Sequence, residues 1–399
     1  MNEVLALVLD SAIDVAGAER GFIMLADAGG TLEFKLARLR GRVTPPGRDF
    51  KTSQKFPRRV FVTGEPCVVE DLQNMCDHEG TCSLGIRYIL CVPLCPMHFV
   101  ERPSDRAVER PIGVLYLDSQ ERGGVHSPTT LTAIGTLSAQ AALAIENARL
   151  YREMHEKANA ERELEAAAEI QRSLLPSGSR DGAFHRTAGA SVPCRAVGGD
   201  FFDYTDLATG AFGFIVGDVA GKGPPAALLA AAAMGMFGTE ATNHATAASL
   251  IARLNRAVLR RAVESRYLTA FYGILRPDGA LTFCNAGHPP PLLVTAHRIQ
   301  RLTIGGCVVG MFDAATFTDG TVTMAPGDAV VAYTDGVTDA LDGRGDEFGD
   351  ARLIETISRL RGEPVERIVA GVIDALRLFC GDARPTDDVS VVAVQYRGD

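Results

Sequence analysis

The chain has 399 residues, a formal net charge of −9 at pH 7 and 46% hydrophobic residues, enough for two or three domains with their own cores. This composition excludes a disordered chain, and the acidic balance without a basic stripe argues against nucleic acid as a partner. The longest mostly apolar run, 226–237, is too short to cross a bilayer, and the first residues lack the pattern of a signal peptide. Nine cysteines in such a chain predict reduced thiols and a cytoplasmic protein with no membrane partner.

Helix and strand patterns are mixed in residues 1–126, which predicts an α+β domain. Apolar residues at helical spacing predict a helix over 4–16. Glycine and proline then separate five predicted strands, over 21–26, 31–39, 66–70, 87–93 and 111–118.

A long helix is predicted to begin at Ser127-Pro128, because serine is a good N-cap and proline suits the first helical turn. No further proline occurs before Pro176, so 128–175 could form one helix about 72 Å long. An apolar seven-residue repeat runs along it, interrupted by polar residues, with members Leu143, Leu150, Met154, Leu164, Ala168 and Leu175. The pattern indicates a weak coiled coil and therefore a homodimer. A solvated linker helix is the alternative.

Beyond this linker, taken as 127–176, glycine-rich turns separate strand-like runs. The clearest runs are 212–219, 267–275, 280–287, 328–335 and 389–396, with helical blocks near 225–261 and 351–380. Because strands and helices come in separate groups, we expect an α+β sandwich with antiparallel sheets over 177–399.

Aspartates follow the ends of predicted strands, beside glycine, in several places in this part. They are Asp200, Asp203, Asp218, Asp335, Asp339, Asp387 and Asp388. Carboxylates without histidine or cysteine favour Mg²⁺ or Mn²⁺, and converging carboxylates repel one another unless a cation neutralises them. An isolated Asp-Gly pair is usually a turn, but this repetition predicts a metal site.

The C-terminal part contains six motifs, which are E-I-Q-R-S-L-L-P (169–176), V-G-G-D-F-F-D (197–203), G-D-V-A-G-K-G (217–223), C-N-A-G-H-P-P-P-L-L (284–293), Y-T-D-G-V-T-D-A (333–340) and D-D-V-S (387–390). Through these motifs it resembles the SpoIIE/RsbU branch of the PPM superfamily of metal-dependent protein serine/threonine phosphatases. It implies an α-β-β-α sandwich with a site for two Mn²⁺ or Mg²⁺ ions at one edge.

By the same resemblance, the catalytic metal ligands are Asp200, Asp218, Asp335, Asp387 and the backbone carbonyl of Val219. Asp387 is expected to be the ligand of its pair, because Asp388 matches a position that is often asparagine in the superfamily. Two ions would activate a bridging water for attack on phosphorus, with no covalent phosphoenzyme.

Three nearby residues need separate interpretations. Arg195 matches a phosphate-binding arginine of other PPM enzymes and is a candidate substrate-binding residue. Cys194 lacks the C-x5-R spacing of thiol phosphatases, which favours an ordinary core or surface thiol. His288 could protonate a leaving group, although a hydrogen-bonded structural histidine is favoured.

The N-terminal part resembles a GAF domain, a sensory fold whose sequence pattern does not identify its ligand. The resemblance rests on segments 16–25, 60–72, 89–94, 112–119 and 137–151. Five cysteines lie here, at 67, 76, 82, 91 and 95, with His78 and His98. The segment C-D-H-E-G-T-C (76–82) could bind a metal or sense redox state, but its spacing fits no known zinc module, which favours incidental thiols.

Together these features predict a phosphatase regulated by a GAF sensor. The family resemblance implies that its substrate is a phosphorylated STAS-domain anti-anti-sigma factor in partner-switching control of transcription. We expect recognition to rest on local shape around the metal site and after Ala340, including Phe348. The alternative is a catalytically inactive scaffold that binds a signalling partner, which the four intact aspartates disfavour.

Overall fold

The structure is a computed structural model that describes residues 2–27, 29–45, 54–70, 72, 85–96, 110–121, 127–241, 246–260, 267–383 and 385–398. The chain divides into two compact units, Met1–Asn159 and Ala160–Asp399. Across the described residues, no helix has the length and apolar character needed to span a membrane. The segment 76–82, with Cys76, His78 and Cys82, lies outside the described residues, as does His98.

The first unit is built on a five-stranded antiparallel sheet of order β2-β1-β5-β4-β3. Its elements are α1 (Asn2–Ala16), β1 (Arg20–Ala26), β2 (Leu32–Leu39), α2 (Lys55–Thr63), β3 (Cys67–Val69), β4 (Tyr88–Leu94) and β5 (Gly113–Ser119). One sheet face packs on α1 and on the first turns of the long helix that begins at Pro128. The other face packs on α2. All five predicted strands are therefore present, with bounds shifted by at most two residues.

The predicted long helix is also present, as α3 (Pro128–Leu174), and the division between the two units falls within it. Ile134, Ala141 and Ile145 are buried in the core of the first unit. Further along, the side chains of Leu150 and Met154 are 48% and 71% exposed. The apolar repeat therefore continues past the part of the helix that packs on the sheet.

The second unit contains two six-stranded sheets. The first consists of β8 (Phe201–Asp206), β9 (Phe212–Val219), β10 (Leu268–Leu275), β11 (Ala280–Ala286), β14 (Gly305–Gly306) and β15 (Gly320–Thr323). The second consists of β6 (Ser179–Asp181), β7 (His185–Val192), β12 (Leu292–Val294), β13 (Ile299–Arg301), β16 (Ala329–Tyr333) and β17 (Val389–Tyr396). All pairings are antiparallel except the short β11–β14 pair.

Helices cover the outer face of each sheet. They are α4 (Pro224–Glu240), α5 (Ala247–Arg260), α6 (Asp335–Thr338), α7 (Gly349–Arg359) and α8 (Val365–Cys380). Because strand side chains alternate between faces, Ile215 packs under α4 and α5 while Phe214 and Val216 face the second sheet. The predicted α-β-β-α sandwich is confirmed, and each predicted helical block consists of two helices.

Candidate metal centre

The candidate ligands lie where strands of the two sheets end at one edge of the sandwich. Asp200 immediately precedes β8, and Asp218 lies near the end of β9, the neighbouring strand, where Phe201 pairs with Gly217. Asp335 follows β16 and Asp387 precedes β17, and these strands also pair, with Tyr333 opposite Val391. Each sheet therefore contributes two neighbouring aspartates.

Thr334 joins the two halves of this centre. Its hydroxyl donates a hydrogen bond of 2.7 Å to Oδ2 of Asp200, which belongs to the other sheet. The hydroxyl oxygen of Thr334 also accepts a 2.9 Å hydrogen bond from the backbone N–H of Ser390. Thr334 is fully buried, so this contact fixes the orientation of the Asp200 carboxylate.

The side chain of Asp388, unlike that of Asp387, binds the loop before Asp200. Its two carboxylate oxygens accept hydrogen bonds from the backbone N–H groups of Cys194 (2.8 Å) and Gly199 (2.7 Å). The side chain of Gln171, on the last turn of α3, also binds this loop, donating to the carbonyl of Gly198 and accepting from its N–H. Asp388 and Gln171 thus shape the loop that presents Asp200.

The carboxylates raise one another's pKa. Burial and the neighbouring Asp218 raise the pKa of Asp200 well above its ordinary value. Burial, with Asp335 and Asp387, raises the pKa of Asp218 to about 7. Burial and Asp387 also raise the pKa of Asp335. A bound cation would reverse this repulsion.

A buried oxygen of Asp200 gives a further test of whether these residues suit a metal ion. Oδ1 of Asp200 is buried and has no hydrogen-bond partner among the described residues, although its Oδ2 is bonded to Thr334. A buried carboxylate oxygen without a partner is costly unless a cation binds it. The four candidate aspartates offer only oxygens, which suits Mg²⁺ or Mn²⁺, and the thiol of Cys194 lies within 4.8 Å of carboxylate oxygens of Asp387 and Asp388. The residues present therefore fit the ions that the sequence predicts.

Glycines let the backbone approach closely at this edge. A Cβ at Gly199 would lie 2.8 Å from the carbonyl oxygen of Val219, the predicted backbone ligand. A Cβ at Gly336 would lie 2.0 Å from the carbonyl oxygen of Asp388. Larger residues at either position would push apart the segments that carry the aspartates.

Lys222 is a component of the centre that sequence reasoning missed. It lies in the turn between β9 and α4, flanked by Gly221 and Gly223, whose positive φ angles of 101° and 78° favour glycine. Its ammonium group donates to Oδ2 of Asp387 at 2.9 Å and to the carbonyl of Thr386. The available signal in the sequence is a lysine between two glycines, a pattern that by itself indicates only a turn.

The remaining candidates divide between the surface and the interior. Arg195 is exposed and forms no ion pair with a described residue. Burial and Asp388 raise the pKa of Cys194 to about 11, so its thiol stays protonated and is not an activated nucleophile. His288 is buried, its Nδ1 lies 2.9 Å from Oγ1 of Thr269, and burial lowers its pKa to about 3. This arrangement supports the structural interpretation of His288.

Family comparisons agree with both parts of the fold. Residues 208–397 match the sequence model of Stage II sporulation protein E (SpoIIE), and residues 1–145 match the GAF domain. These matches confirm the two resemblances found from motifs.

Individual relatives match parts of the chain. It is 31% identical over 274 residues to protein IcfG of Synechocystis sp., covering 59% of this chain and 41% of IcfG. It is 26% identical over 180 residues to phosphoserine phosphatase RsbU of Bacillus subtilis, covering 44% and 53%. The chain thus spans about half the length of the curated relatives it matches. The SiaA-PP2C domain of Pseudomonas aeruginosa shares the fold, with a TM-score of 0.53 and 24% identity over 61% of this chain and 99% of that domain.

Proposed function

We propose that this chain, which joins a GAF domain to a SpoIIE-type PP2C phosphatase domain, is a metal-dependent protein serine/threonine phosphatase. The observation that carries the proposal is the convergence of Asp200, Asp218, Asp335 and Asp387, with raised pKa values for the first three and an unpartnered buried oxygen on Asp200. Such a cluster is unfavourable by itself and favourable around divalent cations.

In this proposal the four aspartates and the carbonyl of Val219 hold two Mn²⁺ or Mg²⁺ ions. When bound, the ions supply an activated water and neutralise charge on the phosphoryl oxygens. Thr334 keeps the Asp200 carboxylate oriented, and Asp388 holds the loop before it. No role is assigned to Cys194, whose thiol lacks the C-x5-R context of a nucleophile. Arg195 remains a candidate phosphate-binding residue at the exposed rim.

The first experiment is hydrolysis of 4-nitrophenyl phosphate with Mn²⁺, with Mg²⁺ and with excess EDTA. We expect turnover with either metal and none with EDTA. A purified, folded protein that binds metal but shows no turnover would support the inactive scaffold instead.

For the substrate, we propose a phosphoserine or phosphothreonine on a STAS-domain anti-anti-sigma factor. The relative RsbU is named a phosphoserine phosphatase, and the family resemblance supplies the STAS partner. The test compares kcat/KM on a phosphorylated STAS protein from the same genome with kcat/KM on a peptide copied from its phosphorylated loop. Equal values would leave the phosphatase assignment standing and remove the STAS substrate.

For regulation, we propose that the GAF domain controls the phosphatase through α3 in a homodimer. On the seven-residue repeat, Leu143, Leu150 and Met154 are 46%, 48% and 71% exposed along α3, which suits burial against a second copy of the helix. Gln171 links the end of α3 to the loop before Asp200, so a change in the helix would reach the metal ligands. Light scattering at micromolar concentration tests the dimer, and a monomer would contradict this mode of control.

A further inference from the structure

An apolar cavity of about 250 Å³ lies beside the candidate metal centre. Its walls come from the last turns of α8, the segment after α6 and the loop before β17. The apolar lining includes Val192, Ala340, Leu341, Leu376 and Pro385, with the half-buried Cys380 at the end of α8. The metal-ligand candidate Asp387 also lines the cavity, so the two sites are continuous.

The size and chemistry of the cavity limit what it can hold. Sites for small-molecule ligands usually span about 300–1,000 Å³ and present several converging polar groups. This cavity is smaller and mainly apolar, and among the described residues Arg377 is the cation in its lining. That arginine is paired with Asp374, and both side chains are more than 70% exposed. The cavity therefore suits a single aliphatic or aromatic side chain better than a metabolite or a phosphate group.

The position of the cavity beside Asp387 indicates which molecule would carry such a side chain. A phosphorylated segment must lie over the aspartates for its phosphate to react, and an extended chain advances about 3.3 Å per residue. A residue one to three positions from the phosphorylated one would then pass the cavity beside Asp387.

We propose that this cavity binds an apolar side chain of the phosphoprotein substrate, one to three residues from the phosphorylated residue. The inference rests on the proposed phosphatase function and adds a specificity subsite to it. In this proposal, the wall formed by α8 and the segment after α6 selects the substrate sequence next to the phosphorylated residue. The aspartates carry out the reaction at the phosphate.

The test uses short phosphoserine peptides that carry leucine or glycine at each position from −3 to +3. We expect leucine at one position to raise kcat/KM at least about tenfold over glycine, as burial of one leucine side chain allows. Cys380→Trp fills the cavity from α8 and should abolish this preference, whereas the matched Cys380→Ser variant should keep it. Leu341→Trp fills the cavity from another wall and serves if Cys380→Trp does not fold.

The outcomes separate this inference from the function on which it rests. Hydrolysis of 4-nitrophenyl phosphate should be equal in wild type, Cys380→Ser and Cys380→Trp, because Cys380 is on the α8 wall of the cavity and is not a metal-ligand candidate. No leucine preference in the wild type, or a preference that survives filling of the cavity, would overturn the inference. A selective loss of 4-nitrophenyl phosphate hydrolysis in Cys380→Trp would overturn it too, by showing that the cavity acts on the centre. A wild-type protein that hydrolyses neither compound would instead refute the phosphatase function.

Discussion

Replacing Asp218 with asparagine should make the metal-free protein more stable and remove its response to metal. The pKa of Asp218 is raised from 3.8 to about 7, first by burial and then by Asp335 and Asp387. In the unfolded chain this carboxyl ionises near its ordinary value. Folding without metal at pH 8 therefore forces a charge into an unfavourable place, and Asp218→Asn removes that charge.

The size of the effect follows from the pKa difference. A rise from 3.8 to about 7 corresponds to about 4 kcal/mol of destabilisation above pH 7, and this is the most the substitution can recover. Because the raised pKa belongs to the folded state, the metal-free wild type loses folding stability as pH rises through about 7. The advantage of Asp218→Asn should therefore shrink as pH falls from 8 toward 5, where the wild-type carboxyl takes up a proton.

Thermal unfolding in EDTA and in Mn²⁺ measures both effects. At about 100 times its dissociation constant, one bound ion should stabilise the wild type by about 2.7 kcal/mol. For a unit of this size the gain is about 5–10 °C in Tm, and Asp218→Asn should show little of it. Asp313→Asn is the matched control, since it removes the same charge from an exposed position outside the centre. The reasoning fails if Asp218→Asn is less stable than wild type in EDTA at pH 8, or if it keeps the full Mn²⁺ response.

Three further predictions concern other parts of the chain. Lys222→Met should lower the Mn²⁺ dissociation constant about three- to fivefold, because the half-exposed ammonium of Lys222 competes with the metal ion for Asp387. Calorimetry measures this constant. An unchanged constant, or equally tighter binding in Lys222→Arg, would count against this competition. His185 is buried, stacks on Phe212 at 3.7 Å and has a pKa lowered chiefly by burial, so the wild type should lose stability to urea as pH falls below about 6.5. His185→Phe should lose less over the same range, and parallel curves for the two proteins would refute that assignment. Deleting three or four residues within 155–165 turns the downstream face of the helix by about 60° or 40° in opposite directions, so phosphatase activity should differ between the deletions; equal activities would contradict signalling through the helix.

The parts of the fold that could be predicted from sequence are those with strong local patterns. The strands of the first unit and the long helix were found within two residues because alternating or helical apolar spacing ends at glycine or proline. The helix 225–261 was predicted as one block but consists of α4 and α5, because its alanine-rich sequence gives no clear break near Glu240. The short strands β12 to β15 were not identified individually, since two to four residues carry no measurable period.

In the metal centre, too, the residues predicted from sequence are those with a local pattern, and the missed residues depend on contacts between distant segments. Asp200, Asp218 and Asp335 stand out because each adjoins a glycine at or near the end of a strand, and Asp387 because it belongs to an Asp-Asp pair directly before a strand. The buried hydroxyl of Thr334 gives no such signal, because its importance comes from contact with Asp200 on the other sheet. Lys222 likewise looks like a turn residue until Asp387 is placed next to it. The apolar cavity could not be anticipated, since its walls come from segments that are far apart in the sequence.

The contact between Asp388 and Gly199 joins positions 189 residues apart in the sequence. Asp388 immediately precedes β17, which lies in the sheet between β16 and β7. The four aspartates span residues 200–387, so a fragment that lacks either end of this range should lack hydrolytic activity. Because β17 is a central strand whose side chains enter the cores on both faces of its sheet, it should open only when the domain unfolds, so the centre should keep its geometry until global unfolding.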